Sequence, residues 1–117
     1  MMNDAKSRQP LPQGSLDMLV LRTLAPGPLH GYAIARHLHD VSDAFIQVEE
    51  GSLYPALHRL EKRGWLQSQW GPSEANRKAK FYRLTPAGRK QLQVETSAWE
   101  RMQAAIQNVM NYRPSET

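Results

Sequence analysis

EEGSLYPALHRLEKRGW, residues Glu49 to Trp65, carries the clearest helical signal in the chain. Leu53, Ala56, Leu57 and Leu60 recur at i, i+3, i+4 and i+7, the spacing of one apolar helix face. The opposite face holds Gly51, Pro55, His58, Arg59 and Lys62, with Tyr54 at its flank. Ser52 is the best N-cap, because Pro55 then falls in the first turn, where a missing N–H costs nothing. A start near Glu50, with a bent first turn, is the other option. Gly64 ends the helix just after Lys62 and Arg63, whose charges suit the negative end of the helix dipole. The spacing therefore predicts a helix that packs one face and offers the other.

The chain has 117 residues, enough for one domain with a modest core. Fifteen Lys and Arg stand against eleven Asp and Glu, a net charge of +4, so the placement of the cations matters more than their number. There are no cysteines, which excludes disulfides, thiolate metal sites and cysteine nucleophiles. No apolar run approaches the ~18 residues that a membrane span needs. The opening MMNDAKSRQPLPQG is polar and proline-rich, with none of the hydrophobic stretch of a secretory signal. A soluble, cytoplasmic protein is the expectation.

Taken in order, residues 1–13 read as a flexible N-terminal arm. Ser15 can cap a first helix whose stripe is Leu16, Leu19, Val20 and Leu24, widened by Met18 and Leu21. Pro26-Gly27-Pro28 ends it. A second helix is predicted over roughly Gly31 to His39, with Tyr32, Ile34, Ala35 and Leu38 as its apolar set. The connector from Asp40 to Val48 should pack down through Phe45, Ile46 and Val48. Helix, connector and a second helix with a free polar face is a helix-turn-helix arrangement, here with a long connector.

After Gly64 the period changes. Trp65 to Trp70 alternates as a strand, with Leu66, Ser68 and Trp70 on one side. Gly71 to Asn76 is a turn-rich loop, and Lys80 to Leu84 is the returning strand of a hairpin with a loop of about eight residues, a wing. Thr85 then caps a helix that has Pro86 at its first position. This last helix should run to about Asn111. Leu92, Trp99 and Ile106 are seven apart, Met102 and Val109 form a second row, and Glu95 interrupts that row. So long an apolar stripe has little of its own domain to cover, and a two-fold dimer is expected.

The chemistry concentrates on the wing. Between Ala75 and Val94 lie Arg77, Lys78, Lys80, Arg83, Arg89 and Lys90 and no acid. At a hairpin tip, Arg77, Lys78 and Lys80 can reach phosphates or a minor groove. The helix after the connector is electrically balanced, yet its free face suits base edges. Ser52 and His58 can hydrogen bond, Arg59 can address guanine, and Tyr54 or Pro55 can touch a thymine methyl. His37 and His39 are two apart and so point different ways on a helix, which is not metal-ligand spacing. No nucleophile–base motif, glycine-rich phosphate loop or paired carboxylate appears, so neither an enzyme nor a cofactor-binding protein is expected. Trp99 could wall an apolar pocket or simply fill an interface.

HGYAIARHL (His30–Leu38), EGSLYPALHRLEKRGWL (Glu50–Leu66) and KFYRLTPAGRKQL (Lys80–Leu92) together resemble the PadR family of bacterial transcriptional regulators, in its short form with a single C-terminal helix. The resemblance covers about Gly14 to Asn111. It implies an α+β, mainly helical fold: a winged helix-turn-helix over residues 14–85, a dimerisation helix over 86–112 and a flexible tail over 113–117. It also implies a homodimer that binds a pseudo-palindromic operator in double-stranded DNA, usually as a repressor. The helix matching Glu50 to Arg63 would read the major groove, and the wing would touch the backbone or minor groove. The residues assigned to DNA are Tyr32, Ser52, Tyr54, Pro55, His58, Arg59, Lys62, Arg77, Lys78 and Lys80. The resemblance places Trp99, with Met102, where some short members stack a planar aromatic or drug-like effector at the dimer centre. Leu16, Leu19, Leu92, Trp99, Met102, Ile106 and Val109 are assigned to the dimer seam. A winged-helix module that binds protein instead of DNA is the alternative, supported by the neutral charge of the Glu49–Trp65 helix.

Overall fold

The apolar spacings turn into helices where they predict them, and the core is what those helices share. A computed structural model describes Leu11 and residues 14–115. The arm assigned to residues 1–13 thus lies, Leu11 aside, outside the described residues, as do the last two residues of the tail. The elements are α1 (Ser15–Thr23), β1 (Leu29–His30), α2 (Gly31–Val41), α3 (Glu50–Lys62), β2 (Leu66–Pro72), β3 (Lys78–Leu84) and α4 (Pro86–Met110). The three strands form one antiparallel sheet in the order β1-β3-β2. Val20, Leu21 and Leu24 of α1 meet Ile34 and Leu38 of α2, Leu53, Leu57 and Leu60 of α3, and Leu66, Tyr82 and Leu84 of the sheet.

Several local expectations are corrected. Ser15 is not a cap: it is the first residue of α1 and is buried behind Gly14, whose φ of 87° places it in the left-handed region. Ser52 is not a cap either. α3 starts at Glu50, and the N–H groups of both Ser52 and Leu53 donate to the Glu49 carbonyl at 2.9 Å. This is the start near Glu50 that the sequence also allows, and Leu53, Ala56, Leu57 and Leu60 are all buried along the helix. Pro55 then lies beyond the first turn, but Gly51, whose carbonyl loses the helical partner, is solvent-exposed and can turn to water. Tyr32 does not join the apolar set of α2. It is 65% exposed, because Ile34 and Leu38 already occupy the inward side. Phe45 is also exposed, while Ile46 and Val48 do pack on the core. The connector reverses through Asp43 and Ala44, both at positive φ, and the Ser42 hydroxyl accepts the Ile46 N–H at 2.8 Å.

β1 is unanticipated, a two-residue strand that pairs Leu29 with Tyr82 and His30 with Phe81. The hairpin strands run further toward the tip than their alternation indicates. Backbone pairing continues through Gly71↔Ala79 and Pro72↔Lys78, and the loop contracts to residues 73–77. Asn76 takes a left-handed turn there, with φ 59°. Trp70 shares its face with Leu66 and Ser68 as the spacing predicts, but it projects past the core and is exposed.

The end of α3 and the start of α4 are built as one joint. Gly64, at φ 81°, closes α3: its N–H donates to the Glu61 carbonyl, and the Trp65 N–H donates to that of Leu60. Thr85 caps α4 as expected, its Oγ1 accepting the Gly88 N–H at 2.9 Å. The same hydroxyl donates to the Gly64 carbonyl at 2.6 Å, and the Thr85 N–H donates to the Trp65 carbonyl at 3.1 Å. Beyond this joint α4 runs for 25 residues. Leu92, like Leu16 and Leu19, is partly buried against the chain's own core. Trp99, Met102, Ile106 and Val109 remain exposed.

Candidate nucleic-acid interface

The outward face of α3 presents Gly51, Ser52, Pro55, His58, Arg59 and Lys62 to solvent, as its helical spacing requires. On the flank toward α1, Arg59 Nη2 donates to Asp17 Oδ1 at 2.8 Å. On the flank toward the wing, Glu61 accepts from the Ser68 hydroxyl and lies 3.7 Å from Lys80 Nζ. These two pairs cross from α3 to separate elements, so they index both its roll and the position of the wing beside it. Exposed ion pairs contribute only about 0–1 kcal/mol of stability each, so what they add is mainly geometry.

Tyr54, 44% exposed, leans over the N-terminus of α2. A Cβ built on Gly31 would come within 2.6 Å of its hydroxyl, so Gly31 lets the two helices of the helix-turn-helix approach. His30 caps α2 by accepting the Ala33 N–H on Nδ1 at 3.2 Å. Its ring lies parallel to that of Tyr32, centroids 6.5 Å apart, and edge-on to Phe81. His39 Nδ1 sits 3.1 Å from Asp40, and that hydrogen bond, with the charge of Arg36, holds the Asp40 carboxyl below its ordinary value. Among the described residues no three His, Asp or Glu side chains gather as a metal site, and no helix is long and apolar enough to cross a membrane.

The wing divides its cations. Arg77 and Lys78 stand exposed at the loop and strand start. Lys80 is turned inward, half-exposed, against Glu61 and over the Tyr82 ring. Tyr82 is buried, which raises its pKa above 10, and the nearby Glu61 charge pushes the same way. The structure thus brings Ser52, Pro55, His58, Arg59 and Lys62 onto one surface, with Tyr32 and Tyr54 at the α2 side and Arg77, Lys78 and Lys80 on the wing. Trp99 and Met102 lie elsewhere, in a groove between the start of α1 and α4 that Met18, Glu95, Ala98 and Ile106 also line. Sequence reasoning missed Asp17 and Glu61 as partners of this surface. Asp17 lies 42 residues from Arg59, beyond any local pattern.

This arrangement, three packed helices with the third one's outer face free and a basic hairpin beside it, has close counterparts. The PadR-like family of transcriptional regulators matches residues 20–94. The chain belongs to the PadR family. A transcriptional regulator of Mycobacterium tuberculosis is 36% identical to it over 83 residues, covering 71% of this chain and 74% of that one. Among solved structures, a PadR-family transcriptional regulator from Eggerthella lenta superposes with a TM-score of 0.74 at 32% identity, over 86% of each chain. A PadR-like transcriptional regulator from Bacillus cereus gives 0.75 at 26% identity, over 86% of this chain and 96% of its own. The protein is accordingly a PadR-family transcriptional regulator of winged-helix fold and not an enzyme. DNA binding is what membership of this family implies.

Proposed function

We propose that this PadR-family chain is a homodimeric repressor that holds a pseudo-palindromic operator through paired α3 helices and wings. The observation that carries this reading is the free face of α3, held between two cross-element ion pairs and flanked by the exposed cations Arg77 and Lys78. A helix of these dimensions fits a major groove, and the wing cations fit the adjoining phosphates. The dimer is supported by the uncovered stripe on α4, where Trp99 is 41%, Ile106 52% and Val109 74% exposed. Two such stripes facing each other would remove from water what one chain leaves in it. The groove beside Trp99 and Met102 is the seat we assign to a planar aromatic or drug-like effector, which would weaken operator binding only by favouring a different dimer arrangement.

Fluorescence anisotropy tests the reading, using a duplex from just upstream of the protein's own gene, a shuffled duplex of equal length, and several salt concentrations. Tight binding that prefers the native duplex is expected. In the dimer, Arg77→Gln with Lys78→Gln removes four phosphate contacts, so the log–log salt slope should become shallower by about 3.6. Binding that weakens with no change of slope would remove the wing from the interface. No binding to either duplex at low salt would favour a protein partner instead of DNA.

A further inference from the structure

We infer that Asp17 is a specificity-setting positioning residue, which orients Arg59 on the reading helix without itself touching DNA. This inference rests on the regulatory reading above and deepens it. Arg59 and Lys62 are the cations on the outward face of α3, and Arg59 is the one that an acid from another element holds. Asp17 comes from the first turn of α1, and its side chain is only 26% exposed against 53% for Arg59. The less exposed carboxylate is therefore the anchor and the guanidinium the projecting group.

One guanidinium nitrogen, Nη2, is engaged by Asp17 at 2.8 Å. A guanidinium is a rigid planar fork of five N–H donors, so tethering one corner, with the stem anchored on α3, restricts how the rest can point. Two parallel N–H groups in a fixed plane are what the O6 and N7 acceptors of guanine require. An Arg without such a buttress samples many rotamers and serves equally well as a phosphate contact, which reads no sequence. The same contact acts on the wrong duplex as well: a phosphate must draw Arg59 away from Asp17 before the guanidinium can serve as a non-specific contact, so the pair lowers non-specific affinity more than specific affinity.

The test uses the full chain, a duplex selected by the wild-type protein from a randomised pool, and a shuffled duplex of the same composition. Asp17→Asn should bind the shuffled duplex more tightly and the selected duplex no better, compressing the ratio of the two affinities by fivefold or more. Arg59→Gln should compress it as well, by loss of affinity for the selected duplex. The Asp17→Asn/Arg59→Gln double variant should show no further compression, because the two residues act through one contact. Arg59→Lys, which keeps the charge and loses the fork, should behave like Arg59→Gln in the ratio. Circular dichroism melts of all variants establish that each is folded. An unchanged ratio in Asp17→Asn overturns the inference. So does a compression by Asp17→Asn that persists at full size in the Arg59→Gln background, since Asp17 would then act as a bare charge. If selection yields no preferred sequence, the regulatory reading itself fails and the role of Asp17 fails with it.

Discussion

Replacing Gly88 by alanine should cost far more than one methyl group suggests. A Cβ at this position would lie 2.0 Å from the Trp65 carbonyl oxygen, 3.0 Å from its carbon and 3.2 Å from Leu84 Cδ2. Ordinary C···O contacts begin near about 3.3 Å, so α4 and the Trp65 backbone must separate by roughly 1 Å. Neither obstacle at the Trp65 end is a side chain that can swing away. Overpacking of this kind costs about 1–3 kcal/mol. The separation also pulls the Thr85 N–H from the Trp65 carbonyl, and Thr85 is buried, so an unpaired group adds about 1–3 kcal/mol. The better helix propensity of alanine returns up to about 1 kcal/mol, leaving a net loss of about 3 kcal/mol. Urea unfolding followed by circular dichroism at fixed protein concentration measures it. With a slope near 2 kcal/mol per molar, the midpoint should fall by about 1.5 M. Gly51→Ala is the control, because nothing lies within 4 Å of its Cβ position and it too is helical. That variant should be neutral or more stable. If Gly88→Ala also matches or exceeds the wild type, the close approach at the joint is not what the geometry claims.

Leu57, fully buried at the centre of α3, should cost about 2–5 kcal/mol when cut to alanine, read as a lower urea midpoint. Tyr82 gives a pH signature. Its pKa is raised chiefly by burial, so the stability it contributes is complete below 10 and is lost as pH rises through the raised value. Melting temperatures between pH 8 and about 11 should fall less steeply in Tyr82→Phe than in the wild type. Ile106→Glu, placed in the exposed stripe of α4, should leave the secondary structure intact and shift light scattering from dimer to monomer.

Much of this was legible in the chain because each long element announces itself twice. α4 has the Thr85-Pro86 start and the seven-residue recurrence of Leu92, Trp99 and Ile106; α3 has its apolar face and the Gly64 stop. What was not legible depends on distant parts of the chain. β1 is two residues long, too short to show any period, and exists only because β3 lies beside it. The start of α3 stood between two options, Ser52 by its type as a cap and a start near Glu50, and the Ser52 and Leu53 N–H groups donating to the Glu49 carbonyl decide for the second. Tyr32 looks apolar in a list of residues, yet it faces outward because the inward positions are taken. The outward face of α3 itself followed from helical spacing. The way Lys80 is drawn to Glu61 and Arg59 to Asp17 did not, since both are contacts between elements.

The joint at Thr85 makes a lever of the last helix. Its root is fastened to the residues that close α3 by two hydrogen bonds from one threonine, to the Gly64 and Trp65 carbonyls, while the same hydroxyl caps α4, so the two helices are coupled at their ends. At 1.5 Å per residue, the 25 residues of α4 form an arm about 37 Å long. In the proposed dimer, a tilt of only about 5° along that arm becomes a displacement of about 3 Å at its end, close to the 3.4 Å step between successive bases. A molecule wedged near Trp99 would then need to move its surroundings by less than the thickness of an aromatic ring to put the two readers one base out of step.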